Sequence, residues 1–125
     1  MRRLEIRVGN VRIIGELHDT HSADAIWQAL PFSAEANTWG DEIYFSVPVQ
    51  MSEEDALAVV NSGDLGYWPP GHAFCVFFGP TPASTGNEIR PASPVNVFGH
   101  VVGELQVLKQ VKDGENIRVQ RARES

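Results

Sequence analysis

The sequence predicts a mainly β protein, folded as a closed or nearly closed barrel with two short α-helices over its ends. Three observations lead to this prediction. Several short segments alternate apolar and polar residues with the period of a half-buried strand. Pairs of turn-forming residues, such as Gly-Asn and Asp-Gly, separate some of these segments. Only two segments change to the helical period, and both are short.

The first two predicted strands form a hairpin at the N-terminus. Leu4, Ile6 and Val8 alternate with charged residues, which is the pattern of a strand with one buried face. The pair Gly9-Asn10 follows, and both residue types accept the positive φ angles of a tight turn. A second extended run, VRIIGELHD, then completes the hairpin.

The segment HSADAIWQALP predicts the first helix. Ser22 is the expected N-cap, and Asp24 in the first turn suits the positive end of the helix dipole. Pro31 ends the helix because proline cannot continue the backbone hydrogen bonding. One face gathers apolar side chains at helical spacing, and we expect Trp27 to anchor that face in the core: Ala23, Ile26, Trp27 and Leu30.

The second predicted helix covers SEEDALAVVNSGD. Ser52 and Asp55 have the spacing of a capping box, and Gly63 is a suitable end signal. The predicted buried face consists of Ala56, Leu57, Val59 and Val60. Between the two helices, WGDEIYFSV predicts a tight turn at 39–41 and then a strand that buries Ile43, Phe45 and Val47.

The C-terminal half contains further strands. The apolar run 73–78 is suited to the centre of a sheet, and a polar loop separates it from VNVFGHVV, another strand. Residues 105–111 fit either a short helix or a strand. Asp113-Gly114 is a turn signal, and the alternation in NIRVQRA predicts a last strand with Ile117 and Val119 buried.

Composition limits the classes of function. A chain of 125 residues is expected to be one domain, spanning 1–125. A net charge of −6 argues against nucleic acid as a partner, and no apolar run approaches the length of a membrane span. Cys75 is the single cysteine, so no intrachain disulfide forms, and we expect its thiol to be buried and inert. With no signal-peptide pattern, the expected location is the cytoplasm.

No motif predicts a cofactor or a metal. The sequence has no phosphate-binding loop, dinucleotide fingerprint or zinc signature. The short cluster His18, Asp19 and His21 lacks a clear further ligand, and we interpret these three as polar residues at the surface. No serine lies in a context that would activate its hydroxyl. We therefore expect no bound cofactor and no metal site.

The candidate ligand site is an aromatic cluster around two adjacent prolines, made of Tyr67, Trp68, His72, Phe74, Phe78 and Arg90. Tyrosine and tryptophan offer flat apolar faces, and the stiff Pro-Pro backbone limits the entropy lost on binding. The alternative is structural. Phe74 and Phe78 then face the core, which we favour for these two, and Arg90 pairs with Glu88. For the other residues both interpretations stay open, as does the isomer of the Trp68–Pro69 bond.

The run GDLGYWPPGHAFCVFFGPTP, followed by IRPASPVNVFGHV, resembles the prokaryotic cyclophilin-like domain family. The resemblance implies a closed cyclophilin-like β-barrel of about eight strands with two short α-helices. It is more distant to the cyclophilins that isomerise prolyl bonds, which carry Phe-His-Arg before a proline on a central strand. Here the matching stretch is Tyr44-Phe45-Ser46-Val47-Pro48, which contains no arginine. The resemblance therefore implies the fold and no catalytic residue.

Three hypotheses of function follow. The first is a binding module that holds a small molecule or an extended peptide against the aromatic cluster. The second is a peptidyl-prolyl isomerase of low activity, in which Arg90 replaces the missing arginine. The third is a subunit that binds another protein. The sequence leaves the oligomeric state open.

Overall fold

The structure is a computed structural model that describes residues 2–122. These residues form nine antiparallel strands in one sheet, one α-helix and two 3-10 turns. The strands are β1 (Arg3–Val8), β2 (Val11–Leu17), β3 (Phe32–Glu35), β4 (Asn37–Thr38), β5 (Glu42–Ser46), β6 (Asp64–Trp68), β7 (Ala73–Phe77), β8 (Asn96–Val102) and β9 (Asn116–Arg121). The helix is α1 (His21–Ala29), and the 3-10 turns are Pro69–Gly71 and Gln106–Gln110.

The sheet curls into a nearly closed barrel. Its strand order is β3-β9-β1-β2-β8-β6-β7-β5-β4, so the two outermost strands are β3 and β4. Only Ala36 separates these two strands in the chain, which brings the two edges of the sheet together. The predicted mainly β barrel is confirmed. The strand number is nine rather than about eight, partly because the two-residue β4 counts as a strand.

The predicted N-terminal hairpin is confirmed. β1 pairs with β2 in a register that places Val8 opposite Val11, so Gly9 and Asn10 form the turn. Gly9 has φ +56, the left-handed conformation that glycine adopts without strain. Strand β9 then pairs with the other edge of β1, with Val119 opposite Ile6, so both residues lie in the core.

Aromatic side chains fill the barrel interior. The rings of Phe45 and Phe74 stack with centroids 4.7 Å apart, and Phe98 meets Phe74 edge-on at 5.0 Å. Val76 belongs to the same cluster, and the half-buried Phe78 packs against it. The favoured interpretation, in which Phe74 and Phe78 face the core, is therefore confirmed.

Helix α1 begins one residue before the predicted cap. Thr20 is the N-cap and its hydroxyl accepts a hydrogen bond from the backbone N–H of Ala23 at 3.0 Å. Ser22 instead lies inside the helix and donates to Glu54. Trp27 is only partly buried and lies at the edge of the core, with the guanidinium carbon of Arg121 4.5 Å from its ring centroid. The prediction of Ser22 as cap is wrong, whereas Trp27 packs against the core as predicted, although only partly buried.

The predicted second helix is also wrong, because residues 52–63 form an irregular segment. Glu54 uses its carboxylate to accept hydrogen bonds from the first backbone N–H groups of α1, at His21 and Ser22. Leu57 forms an isolated antiparallel bridge with Val95. Its side chain is 46% exposed, so the predicted buried face does not exist, and of its four residues only Val60 is buried. The segment's contacts with α1 and Val95, both distant in sequence, outweigh its local helix propensity.

The remaining elements match their predictions more closely. Residues 106–110 form a short 3-10 helix, so of the two alternatives for this segment the short helix is correct and the strand is not. Gly114 has φ +86 in the predicted turn, and β9 follows with Ile117 and Val119 buried. Within residues 2–122, no helix has both the length and the apolar character needed to cross a membrane.

Candidate ligand pocket

A second apolar cluster lies on the outer face of the sheet. Strand β7 sends Phe74 and Val76 into the barrel, and its alternate residues face outward. The outward cluster consists of Val60, Ala73, Cys75, Phe77, Ile89 and Val95. The long segment between β7 and β8 covers this face. The hydrogen bond from Val60 N to the Ile89 carbonyl, 3.0 Å, joins it to the irregular segment between β5 and β6. This cover turns the outer face of β5, β6 and β7 into a buried region.

A cavity of about 300 Å³ lies in this region. Three aromatic side chains line it, Trp39 from the turn between β4 and β5, Tyr44 from β5 and Trp68 from β6, together with Glu42 at the start of β5. The remaining wall is formed by Cys75, Pro91, Ala92 and Val95. The lining is therefore largely apolar and aromatic, with one carboxylate, which is typical of a small-molecule site.

Trp68 is held from two sides. Its indole N–H donates a hydrogen bond to the hydroxyl of Ser93, with 2.6 Å between Nε1 and Oγ. The 3-10 turn Pro69–Gly71 folds back under the ring, and a Cβ added to Gly71 would lie 2.5 Å from the indole. Only glycine leaves room for this contact. The orientation of the indole is fixed before any ligand arrives.

Glu42 is the unusual polar group of the cavity. Its residue is 6% exposed, and its Oε1 atom is buried with no hydrogen-bond partner among the described residues. Burial raises the pKa of this carboxyl from 4.5 to about 7, because a charge is poorly solvated there, and hydrogen bonding with Cys75 partly offsets the rise. A carboxyl whose pKa is raised by burial in a cavity is a candidate functional residue.

Cys75 forms part of the wall beside Glu42. Burial raises the pKa of its thiol well above the usual range, and the neighbouring carboxylate raises it further. A thiol that stays protonated is a poor nucleophile. The predicted burial of Cys75 is confirmed.

Of the six residues proposed from sequence, the structure places Trp68 in the cavity lining. Tyr67, its neighbour on β6, points to the opposite face and is fully buried in the barrel. The Tyr67 hydroxyl donates to the carbonyl of Val49 at 2.7 Å and accepts from the N–H of Met51 at 3.2 Å. Both hydrogen bonds tie the irregular segment after β5 to the barrel. Phe74 and Phe78 belong to the barrel core as well.

His72 and Arg90 lie outside the lining. His72 is exposed and ends the 3-10 turn with φ +48, a left-handed conformation that is uncommon for histidine. Arg90 Nε donates to Glu88 at 3.2 Å, which is the structural alternative weighed for this residue. Backbone N–H groups of Thr85 and Gly86, with Arg90, lower the pKa of Glu88 to about 2. The Trp68–Pro69 bond is trans.

Three residues of the lining were not predicted from the sequence: Trp39, Glu42 and Tyr44. A signal existed, because Glu42 and Tyr44 alternate with Ile43 and Phe45 and must therefore face outward. The outward face of a barrel strand is usually exposed to water, so this alternation did not by itself indicate a ligand site. The cover supplied by the segment between β7 and β8 has no local sequence pattern that assigns it to β5.

The histidine cluster separates in the fold. His18 Nε2 lies 3.1 Å from His100 Nδ1 on β8, so these two side chains form a hydrogen-bonded pair. His21 is exposed and its backbone contributes to the start of α1. Across residues 2–122, no group of three or more His, Cys, Asp or Glu side chains is placed to hold a metal ion.

Comparison with known proteins agrees with the architecture. The family model described as "Cyclophilin-like" matches residues 2–120. Among solved structures, the hypothetical protein AF2241 from Archaeoglobus fulgidus is 46% identical, with a TM-score of 0.84, and the match covers 97% of this chain and 95% of that one. No curated protein matches the sequence. The chain belongs to the cyclophilin-like family.

Proposed function

We propose that this protein is a binding module whose ligand is a small molecule held in the cavity beside Trp68. The observation that carries the proposal is a preformed hollow of about 300 Å³ with three aromatic side chains in its wall. This volume is at the lower end of the range of about 300–1,000 Å³ for ligand pockets. It suits one ring with a short substituent better than an extended peptide.

The order already present in the wall supports the proposal. The hydrogen bond to Ser93 and the contact with Gly71 fix the Trp68 ring, so little conformational entropy is lost when a ligand packs against it. Cys75 lies on β7, a strand paired on both sides, which makes the floor of the cavity part of the sheet.

A screen of small molecules by thermal shift tests the proposal. A ligand of the cavity is expected to raise the melting temperature of the wild type and to lose that effect in Trp68→Ala. Trp27→Ala is the matched control. It removes an indole of the same size, and Trp27 packs against the barrel core and is not part of the cavity lining. A ligand that stabilises Trp68→Ala as strongly as the wild type places the site elsewhere.

Peptidyl-prolyl isomerisation is the second candidate, and the observation in its favour is the cyclophilin-like fold. Twisting a prolyl amide requires a hydrogen-bond donor placed beside it. The stretch at 44–48 has no arginine, and the hypothesis gives that role to Arg90. Arg90 is paired with Glu88 and is not part of the cavity wall, so we rank this function below ligand binding.

A further inference from the structure

We propose that the ligand of the cavity is an organic cation, a small apolar body carrying a protonated amine or amidine, and that the carboxylate of Glu42 binds its charge. This inference rests on the proposed function, because it concerns the same cavity. It adds the chemical class of the ligand and the residue that selects it.

The lining has the composition of a cation site. The rings of Trp39, Tyr44 and Trp68 surround the same space as Glu42. Aromatic faces carry negative electrostatic potential and attract ammonium and guanidinium groups, most strongly where water is excluded. A carboxylate beside such rings supplies the countercharge.

One carboxyl oxygen of Glu42 also lacks a hydrogen-bond donor. Its buried Oε1 has no hydrogen-bond partner among the described residues, which is costly for a carboxyl removed from water. No basic side chain lines the cavity in the described part of the chain, where the titratable members of the wall are Glu42 and Tyr44 on β5 and Cys75 on β7. A ligand N–H⁺ would supply both the missing hydrogen bond and the missing positive charge.

The alternatives fit less well. An anionic ligand would meet an acidic group and no cation in the described lining. A neutral ligand with a hydroxyl or amide would fill the cavity and satisfy Oε1, but it would leave an ionised Glu42 without a countercharge. Cationic, anionic and neutral ligands of similar size would all fit the cavity, so ligand charge is the property that the experiment must vary.

Three probes that share a benzyl or phenyl ring test the inference: benzylamine, benzyl alcohol and benzoate. Dissociation constants are measured by tryptophan fluorescence at pH 8, and amide chemical-shift changes locate each probe on the protein. We expect benzylamine to bind at least tenfold more tightly than benzyl alcohol, and benzoate most weakly. The affinity for benzylamine is expected to fall as the pH is lowered from 8 to 6, since protonation of Glu42 removes the countercharge.

Glu42→Gln keeps the size of the side chain and removes its charge. We expect it to weaken benzylamine at least tenfold, to abolish the pH dependence and to leave benzyl alcohol unchanged. Glu104→Gln is the control, because it removes the same charge from an exposed site outside the cavity lining. The inference is overturned if benzyl alcohol binds the wild type as tightly as benzylamine, or if Glu42→Gln keeps the full affinity for benzylamine. If none of the probes shifts the amide signals of β5, β6 and β7, the proposed function fails with it.

Discussion

Replacing Glu42 with glutamine is expected to stabilise the protein at neutral and alkaline pH. The wild-type carboxyl has a pKa of about 7 when folded and 4.5 as its ordinary value, because its ionised form is poorly solvated in the cavity. Below pH 4.5 the group is protonated in both the folded and the unfolded chain, so it contributes no pH dependence. Glutamine is uncharged throughout and resembles the protonated acid in shape.

The size of the effect follows from the separation of the two pKa values. Between pH 4.5 and about 7 the unfolded chain releases the proton and the folded chain retains it, so wild-type stability falls as the pH rises. The gap corresponds to a loss of about 3 kcal/mol in the free energy of unfolding, fully developed above pH 7. We expect Glu42→Gln to avoid this loss.

Urea denaturation of both proteins between pH 4 and pH 8.5 measures the difference. Other titrating groups, such as Glu54, whose pKa is lowered by hydrogen bonds from Ser22, act equally in both proteins and cancel. The difference is expected to shift by about 3 kcal/mol in favour of the variant between pH 4 and pH 8. A difference that stays constant over this range would refute the idea that burial raises the pKa of Glu42.

Three further predictions test the packing and the ranking of functions. Phe74→Ala is expected to lower the free energy of unfolding by about 3–5 kcal/mol, because it removes a fully buried ring stacked on Phe45. A loss of under about 1 kcal/mol by calorimetry would contradict this packing of the barrel core. Gly71→Ala is expected to displace the Trp68 ring, since the new Cβ would lie 2.5 Å from it. The displaced ring is expected to shift tryptophan emission toward the red. An unchanged spectrum and unchanged ligand affinity would argue against that contact. In a proline-isomerisation assay with a short peptide we expect no acceleration over the uncatalysed rate, and acceleration that disappears in Arg90→Ala would instead establish the isomerase hypothesis.

Most of the barrel could be predicted from the sequence, because apolar and polar residues alternate within the short sequence of each half-buried strand. The hairpin around Gly9 and the last strand with Ile117 and Val119 are examples. The second helix failed because its signals are also local, while Glu54 caps α1 and Leu57 pairs with Val95, both distant in sequence. A local sequence pattern indicates helix propensity but carries no information on contacts with residues distant in sequence.

The candidate site was predictable only in part. Trp68 was identified because the Tyr-Trp-Pro-Pro sequence is unusual by itself. Tyr67 was assigned to the same site, but adjacent strand residues face opposite sides of a sheet, and here one side is the barrel core. Glu42 was missed because its importance arises from enclosure by a segment about forty to fifty residues later in the chain, which no local pattern reveals.

Strand β7 is buried along its whole length on both faces, with successive residues serving two different clusters. Changes at Phe74 or Val76 act on the stability of the barrel, whereas changes at Ala73, Cys75 or Phe77 alter the wall of the outer cluster. Of the outward residues of β7, Cys75 is the one that lines the cavity, so in the proposed function it is the position on this strand where a substitution would change the cavity wall. Adjacent positions on one strand therefore contact two different clusters, and substitutions at neighbouring residues are expected to disturb different parts of the fold.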